Sequence, residues 1–257
     1  ITAIEKSIKN AAADQARANV KMQTLFGDVA HEEMRNPALP QAEMWPGLVK
    51  LKREKEVTGV YLSGHPLEDY KLEMTNFCTS SIADLEQYKN QDAAIAGIVT
   101  TVEHRVSKNG KPFGTFSIED FTGTTELVLF GEDYLKMKHF LSEGTMLFVK
   151  GKYQLRYNSE DRYELKIVSI QLLQDIRERL TKRVTLNVSL TDVNDILILK
   201  IEDLLTKNKG NFPVAIQVND VSDNFSLNFN AQKAAVNLSE EFMQLVSDLP
   251  EVELKLN

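Results

Sequence analysis

The sequence lacks most features that mark a secreted, membrane or metal-dependent protein. Its 257 residues include one cysteine, Cys78, so an internal disulfide is excluded. The four histidines are scattered and none has zinc-ligand spacing. No apolar run approaches the roughly 18 residues of a membrane-spanning helix. These absences predict a reducing, cytoplasmic location, no contact with a membrane, no metal site and no cofactor.

Motifs for phosphate binding and for catalysis are also missing. Neither G-x-x-x-x-G-K-[ST] nor G-x-G-x-x-G occurs. Asp192 and Asp195 begin a predicted helix, where carboxylates complement the helix dipole, and Glu119-Asp120 leads into a predicted turn. Cys78 has no C-x-x-C partner, and we expect an inert thiol there. We therefore expect no catalytic residue in this chain.

The composition is that of an ordinary globular protein, with 42% hydrophobic and 26% charged residues. The net charge of −7 argues against a protein that binds nucleic acid through its bulk charge, although a local basic groove remains possible. The chain begins Ile1-Thr2-Ala3-Ile4 rather than with Met, and we expect it to be a piece of a longer protein.

Changes in pattern along the chain predict four segments and a mixed α and β fold. Residues 1–47 hold a helix over 1–26 and a linker punctuated by Pro37, Pro40 and Pro46. Residues 48–91 form a helical segment leading into residues 92–175, where β-branched residues dominate. Residues 180–257 are predicted to be a small C-terminal α+β domain.

The third segment is predicted to be a five-stranded barrel. Its strands are expected at 95–106, 113–119, 125–130, 145–155 and 163–172, with a helix at 132–141 and an Asn109-Gly110 turn. Five strands with a helix between the third and the fourth is the order of an OB-fold. A generic small β-barrel is the alternative, but it does not account for the position of the helix.

The fourth segment alternates strands and helices. Strands are expected at 184–188, 214–218, 225–229 and 252–256. Thr191 is expected to cap a helix over 192–207, and Ser239 a second helix carrying Phe242, Leu245 and Val246.

Cations cluster in two stretches of the predicted barrel, although residues 92–172 carry ten Lys or Arg against eleven Asp or Glu. In OB-folds, the loops between strands one and two and between strands four and five flank the oligonucleotide groove. Cations there follow phosphates, and aromatic rings stack on bases. The candidate nucleic-acid-binding residues are Arg105, Lys108, Lys111, Phe113, Lys152, Tyr153, Arg156 and Tyr157. The alternative is that the cations only keep the loops soluble and that Phe113 and Tyr153 belong to the core.

A run of residues ahead of the barrel, Glu54 to Leu67, contains Tyr-Leu-Ser-Gly-His-Pro-Leu. This run closely resembles a motif of the alpha subunit of bacterial replicative DNA polymerase III, where it also precedes an OB domain. The blocks 96–99, 108–112, 119–123 and 128–131 resemble the same family in order and spacing. The resemblance implies the C-terminal region of a DNA-directed DNA polymerase, a nucleotidyltransferase, without the part that holds its three active-site aspartates.

The resemblance also implies partners. Met22, Gln23, Thr24, Leu25 and Phe26 resemble the short peptide by which this subunit binds the sliding clamp, beta, with Met22 standing where the motif has Gln. Residues 184–257 match the family by position and pattern, and in the family this domain contacts the tau subunit of the clamp loader. Other subunits of the polymerase III holoenzyme are implied as partners too.

Two functions remain open on the sequence. In the first, the barrel binds single-stranded template DNA while the flanking segments hold the clamp and the clamp loader. In the second, the chain is a protein-interaction scaffold whose barrel binds no DNA. A tRNA-binding OB domain of a synthetase is a third possibility, and the Tyr-Leu-Ser-Gly-His-Pro-Leu run argues against it.

Overall fold

The computed structural model describes residues 8–9, 11–12, 45–156, 159–220 and 225–257, with the side chains of Leu48, Gln232 and Lys233 left out. The chain divides into two units between Ser63 and Gly64.

In the first unit, helix α1 spans Gly47–Thr58. Gly59 ends it with a left-handed φ of 82° and donates its N–H to the carbonyl of Lys55. The carboxylate of Glu54 accepts hydrogen bonds from the backbone N–H groups of Leu62 and Ser63 and from the Ser63 hydroxyl. These bonds, with that from the hydroxyl foremost, hold the pKa of Glu54 below its usual value. The carboxylate thus fixes the turn that follows the helix.

The second unit begins with short helical elements and continues into a five-stranded antiparallel sheet. The 3₁₀ turn Glu68–Tyr70, helix α2 (Lys71–Phe77) and the 3₁₀ turn Leu85–Tyr88 precede the sheet. The strands are β1 (Gln91–Val106), β2 (Pro112–Glu119), β3 (Thr124–Phe130), β4 (Met146–Leu155) and β5 (Tyr163–Leu172). Helix α3 (Gly131–Met137) and the 3₁₀ turn Lys138–Phe140 lie between β3 and β4 in sequence. The order in the sheet is β3-β2-β1-β4-β5.

The length and bending of β1 allow the sheet to curl toward a barrel. Its first half pairs with β4 and its second half with β2, and the register shifts between Val99 and Thr101. A second shift lies in β4 at Lys150/Gly151. A Cβ on Gly151 would lie 2.4 Å from the carbonyl oxygen of Lys166, so only glycine fits there. β3 and β5 are the two edges, and the sheet is not closed by hydrogen bonds between them.

Two clusters of buried side chains cover the sheet on its two sides. The inner cluster includes Ile95, Phe116, Ile118, Leu147 and Val149. The outer cluster covers only the first half of β1 and its partner β4; its members are Leu67, Ala94, Ala96, Ile98, Phe148, Leu173 and Ile176. Because Ala93 to Val99 are therefore buried on both faces, that stretch reads as a continuous apolar run. Among the residues that the structure describes, no such cluster covers the outer face of β2, β3 and the second half of β1.

The turn between β2 and β3 is tied to the segment that precedes the barrel. The buried carboxylate of Asp120 accepts hydrogen bonds from the N–H groups of Thr122, Gly123 and Ile82 and from the Thr122 hydroxyl. The expectation of turn chemistry at Asp120 is confirmed.

The C-terminal part of the chain forms a four-stranded sheet in the order β8-β7-β6-β9. Helix α4 (Leu173–Leu180) follows β5 directly. After it come β6 (Val184–Ser189), the 3₁₀ turn Leu190–Asp192, α5 (Asp195–Lys207), β7 (Lys209–Asp220), β8 (Phe225–Val236), α6 (Glu240–Ser247) and β9 (Val252–Leu256). β6 pairs with β7 in parallel, and the other pairs are antiparallel. The core of this part is built from α5, α6 and one face of the sheet.

α2 and α4 join the two sheets. Leu72 and Phe77 of α2 pack against the C-terminal core, and the Asn76 side chain accepts the N–H of Leu256. Arg177 of α4 forms an ion pair with Glu73 of α2, whose side chain is 1% exposed. The barrel and the C-terminal sheet therefore share packed and hydrogen-bonded contacts.

The five barrel strands, the intervening helix and the mixed fold are as predicted. Ser239 caps α6 as expected, through a hydrogen bond from the N–H of Phe242. The predicted start of α5 is wrong: the helix begins at Asp195, and its cap is Asn194, which accepts the N–H of Leu197, rather than Thr191. Thr191 lies in the preceding 3₁₀ turn, and its hydroxyl instead pairs with that of Ser189 at the end of β6.

Candidate nucleic-acid interface

The uncovered outer face of β1, β2 and β3 carries a row of one cation and two aromatic rings. The register places Arg105 of β1 opposite Phe113 of β2, and Phe113 opposite Phe130 of β3. Phe116 and Leu129 are buried in the barrel, so the row occupies the alternate, outward positions. The Phe113 and Phe130 rings stack with centroids 5.5 Å apart, and Phe130 is 57% exposed. Such a pair offers a flat apolar platform.

The β1–β2 loop lies at the end of this row. The N–H of Gly110 bonds to the carbonyl of Ser107, and the Lys111 N–H bonds to the Ser107 hydroxyl. Gly110 has a φ of 72°, which explains the Asn-Gly pair there. The loop exposes Lys108 and Lys111. Of the predicted site residues, the structure thus brings Arg105, Lys108, Lys111 and Phe113 to one end of one face.

The remaining predicted residues lie on β4 and the β4–β5 loop. Lys152 is exposed, opposite Lys166 of β5 and Asp92 of β1. Arg156 is exposed and lies 3.6 Å from the carboxylate of Glu164. Tyr157 lies outside the described residues. Lys152 therefore stands on a different pair of strands from Arg105 and Phe113.

Tyr153 packs against the barrel core and is only partly accessible. Its ring stacks on that of Tyr163 with centroids 5.6 Å apart, and Lys89 lies 5.1 Å from the Tyr163 centroid. Burial first, and Glu86 second, raise the pKa of Tyr153 above its usual value. Both rings are partly buried, and Lys89 lies on the Tyr163 side of the pair.

A cavity of about 840 Å³ lies between the edge strands β3 and β5. Phe130, Tyr153, Arg156 and Tyr163 all line it, so one ring of the first aromatic pair and both rings of the second border the same opening. The charged lining residues are Lys89, Arg156, Arg162 and Lys166 against Glu86, Glu126, Asp133, Asp161 and Glu164. Cations and carboxylates nearly balance, so this opening offers aromatic surface more than positive potential.

Carboxylates also limit the positive charge of the open face. Arg105 forms an ion pair with Glu103, its neighbour two positions earlier on β1. Ser117 of β2 stands opposite Glu126 of β3, two rows from the aromatic pair. Net attraction for phosphate is therefore concentrated at the loop end, where Lys108 and Lys111 lie.

Two residues of the candidate site, Phe130 and Tyr163, were not predicted from the sequence. Phe130 is the last residue of β3 and Tyr163 is the first residue of β5. At such positions the sequence indicates only a strand boundary. The signal that could have found Phe130 is its pairing: it stands opposite Phe113 once β2 and β3 are joined by the Asp120–Gly123 turn. Tyr163 is found only with the register of β4 and β5.

The Gly64-His65-Pro66 turn has a structural role. The ring nitrogen Nδ1 of His65 accepts the N–H of Leu67, and the ring packs on Phe121 with centroids 4.4 Å apart. Leu67 is fully buried. His65 therefore bonds and packs locally.

Within the described residues, no group of three or more His, Cys, Asp and Glu side chains could hold a metal ion. Cys78 is partly buried, and burial raises its pKa to about 12, with Asp120 adding to the effect. None of the helices in the described ranges is long and apolar enough to cross a membrane. The predicted clamp-binding residues Met22, Gln23, Thr24, Leu25 and Phe26 lie outside the described residues.

Comparison with known proteins defines the class of the barrel first. Residues 93–173 match the family described as OB-fold nucleic acid binding domain. Among solved structures, the asparaginyl-tRNA synthetase of Pyrococcus horikoshii is 20% identical over 36% of this chain and 21% of its own, with a TM-score of 0.29. The mitochondrial single-stranded DNA binding protein Rim1 of S. cerevisiae is 18% identical over 32% of this chain and 95% of its own, with a TM-score of 0.27.

The remainder of the chain identifies the particular family. Residues 184–257 match the DNA polymerase III alpha subunit, C-terminal domain. The DNA polymerase III subunit alpha of Pasteurella multocida is 24% identical over 99% of this chain, and that of Neisseria meningitidis serogroup B is 31% identical over 68%. The chain belongs to the DNA polymerase III alpha-subunit family and corresponds to its C-terminal region. It spans 22% of the Pasteurella protein and 15% of the Neisseria protein.

Proposed function

We propose that this chain binds single-stranded template DNA through its OB-fold and links a replicative polymerase to its sliding clamp and clamp loader. The observation that carries the DNA-binding part is the row Arg105, Phe113 and Phe130 on the open face, next to the lysine-bearing loop. Bases stack on the two rings, while Lys108 and Lys111 follow the phosphates. The chain itself is non-catalytic, and its polymerase activity belongs to the rest of the alpha subunit.

Membership of the family supports the proposed partners. The segment Met22 to Phe26 binds the sliding clamp, the C-terminal domain binds the tau subunit of the clamp loader, and other holoenzyme subunits assemble with the whole protein. A cytoplasmic location is part of the proposal, because bacterial replication takes place there.

A protein-interaction scaffold is the second candidate function. Glu103 and Glu126 on the open face, and the packing of Tyr153 against the core, favour it. A titration with an oligothymidylate distinguishes the two candidate functions, because only DNA binding by the OB-fold predicts binding that weakens with salt. With three to five phosphate contacts, the slope of log K against log salt concentration should be about −2 to −3.5.

We expect Lys108→Glu with Lys111→Glu to weaken binding of single-stranded DNA by about tenfold or more at low salt. Loss of two phosphate contacts should also reduce the salt slope by about 1.4. Fluorescence anisotropy with oligothymidylate and a mixed-sequence strand should show the same loss for both. The matched control is Lys200→Glu with Lys207→Glu, two exposed lysines of α5, which changes the net charge equally. Equal weakening by both pairs, or by neither, would reject the loop as a phosphate contact.

We expect Phe130→Ala to weaken binding of single-stranded DNA by about 1–3 kcal/mol, because a stacking surface is removed. Since Phe130 is 57% exposed, the melting temperature should change little. Leu135→Ala is the control, since Leu135 is 53% exposed on α3 and does not belong to the aromatic row. If Phe130→Ala binds as the parent does, the platform assignment fails and the scaffold candidate gains.

A further inference from the structure

An apolar groove of about 580 Å³ runs along α5 in the C-terminal sheet domain. One wall is the side of α5 that carries Ile198, Glu202 and Thr206, spaced four residues apart. The floor is made by cross-strand pairs of β7 and β8, in which Ile216 stands opposite Phe229 and Val218 opposite Leu227. The groove is thus a strip of sheet left open beside a helix.

Three of the apolar residues that line the groove are well exposed. Ile198 is 52% exposed, Leu227 42% and Phe229 53%. Leu197 and Ile201 of the same helix also line the groove, at its base, and are buried in the domain core. Contiguous exposed apolar surface of this kind marks an interaction site.

The charge around the groove indicates the charge of the partner. Residues 184–257 carry five Lys or Arg against eleven Asp or Glu, a net charge of −6, whereas the barrel is close to neutral. Among the described side chains, that of Glu202 is the one charged group lining the groove. Asp195 lies on the first turn of the helix that forms the wall. The surroundings therefore favour a cationic partner and disfavour an acidic one.

We propose that this groove binds an amphipathic helix of a partner protein, with apolar residues on one face and Lys or Arg along its flank. Such a helix would lie beside α5 at the usual 8–10 Å and extend the layer formed by α5 and α6. Its apolar face would cover Ile198, Leu227 and Phe229, and its cations would approach Glu202. The proposal rests on the assembly role proposed above for this domain, and it names the surface and the chemistry of the partner.

The test uses the whole chain and two labelled model helices, one built from Leu and Lys and one from Leu and Glu. The Leu/Lys helix should bind and the Leu/Glu helix should not. Ile198→Asn with Phe229→Thr should weaken binding of the Leu/Lys helix by at least about tenfold, because the apolar contact is lost. Glu202→Gln should weaken it by a few-fold. Fluorescence anisotropy provides the affinities, and thermal melts check that each variant is folded.

Ile196→Asn with Leu199→Asn is the matched control. Both residues are exposed apolar side chains of α5, at 67% and 63%, and neither lines the groove. Equal weakening by the two double variants, or no weakening by either, overturns the proposal. So does a dimer of the parent chain that the groove variant dissociates in sedimentation velocity, because the occupant would then be a second copy.

The same variants separate this proposal from DNA binding by the barrel. Groove variants should bind oligothymidylate as the parent does, and Lys108→Glu with Lys111→Glu should bind the Leu/Lys helix as the parent does. A chain that binds the helix but no DNA would retain the groove and reject the barrel function. A chain that binds DNA but not the helix would retain the barrel function and reject the groove.

Discussion

Arg177→Met should destabilise the chain by about 3–5 kcal/mol, because it leaves the buried carboxylate of Glu73 without its partner. The Glu73 side chain is 1% exposed and that of Arg177 19%, so water cannot replace the lost contact. For a unit of this size the melting temperature should fall by about 6–20 °C. Thermal unfolding followed by circular dichroism is the measurement.

Two variants show whether the buried pair is the cause. Lys207→Met removes an exposed ion pair with Asp203 and should cost less than about 0.5 kcal/mol. Glu73→Gln combined with Arg177→Met should recover part of the lost stability, because the unpaired charge is gone. If Arg177→Met and Lys207→Met have the same melting temperature, the ion pair does not hold α2 against α4.

The barrel could be predicted because its strands and turns carry local signals. β2 shows strict alternation of inward Phe116 and Ile118 with outward polar residues, and the Asn109-Gly110 pair marks the hairpin. The strand order of an OB-fold then follows from the position of α3. The hydrogen bond from the Ile82 N–H to the Asp120 carboxylate joins residues 38 positions apart, and no local pattern predicts it. The sequence predicts only the turn in which Asp120 lies.

The helices that join the two sheets could not be predicted in the same way. α4 begins at the residue after β5 ends, with no Gly or Pro between them, so no break in the sequence marks the change. α2 has seven residues, too few to show helical periodicity. Glu73 and Arg177 are 104 positions apart, and no local pattern pairs them.

The start of α5 was placed too early because Thr191 and Asn194 are both good caps. Its apolar positions were also more numerous than one face can bury: Ile196 and Leu199 are exposed, and Ile198 lines the groove. An excess of apolar residues on this helix is therefore the sequence signal for an interaction surface.

Leu25→Ala with Phe26→Ala should weaken binding of the cognate sliding clamp by at least about a hundredfold, since each side chain is worth roughly 1.5–3 kcal/mol when buried in a preformed pocket. Surface plasmon resonance against immobilised clamp measures the loss. Met22→Ala should have a smaller effect, because Met22 stands at the polar lead position of the motif. Leu39→Ala, an apolar residue in the predicted linker, is the matched control and should bind normally.

The melting temperature of the same double variant decides between clamp docking and a role in the core. A linear motif that binds a partner contributes nothing to the stability of its own chain. If Leu25 and Phe26 belong to such a motif, the melting temperature of the double variant should be nearly unchanged. If Leu25 and Phe26 instead close the first helix against the protein body, Phe26→Ala alone should cost about 3–5 kcal/mol, as large-to-small core substitutions do. A large fall in melting temperature with weak clamp binding would therefore assign these residues to the fold. Lost binding with an intact melt is what the docking peptide requires.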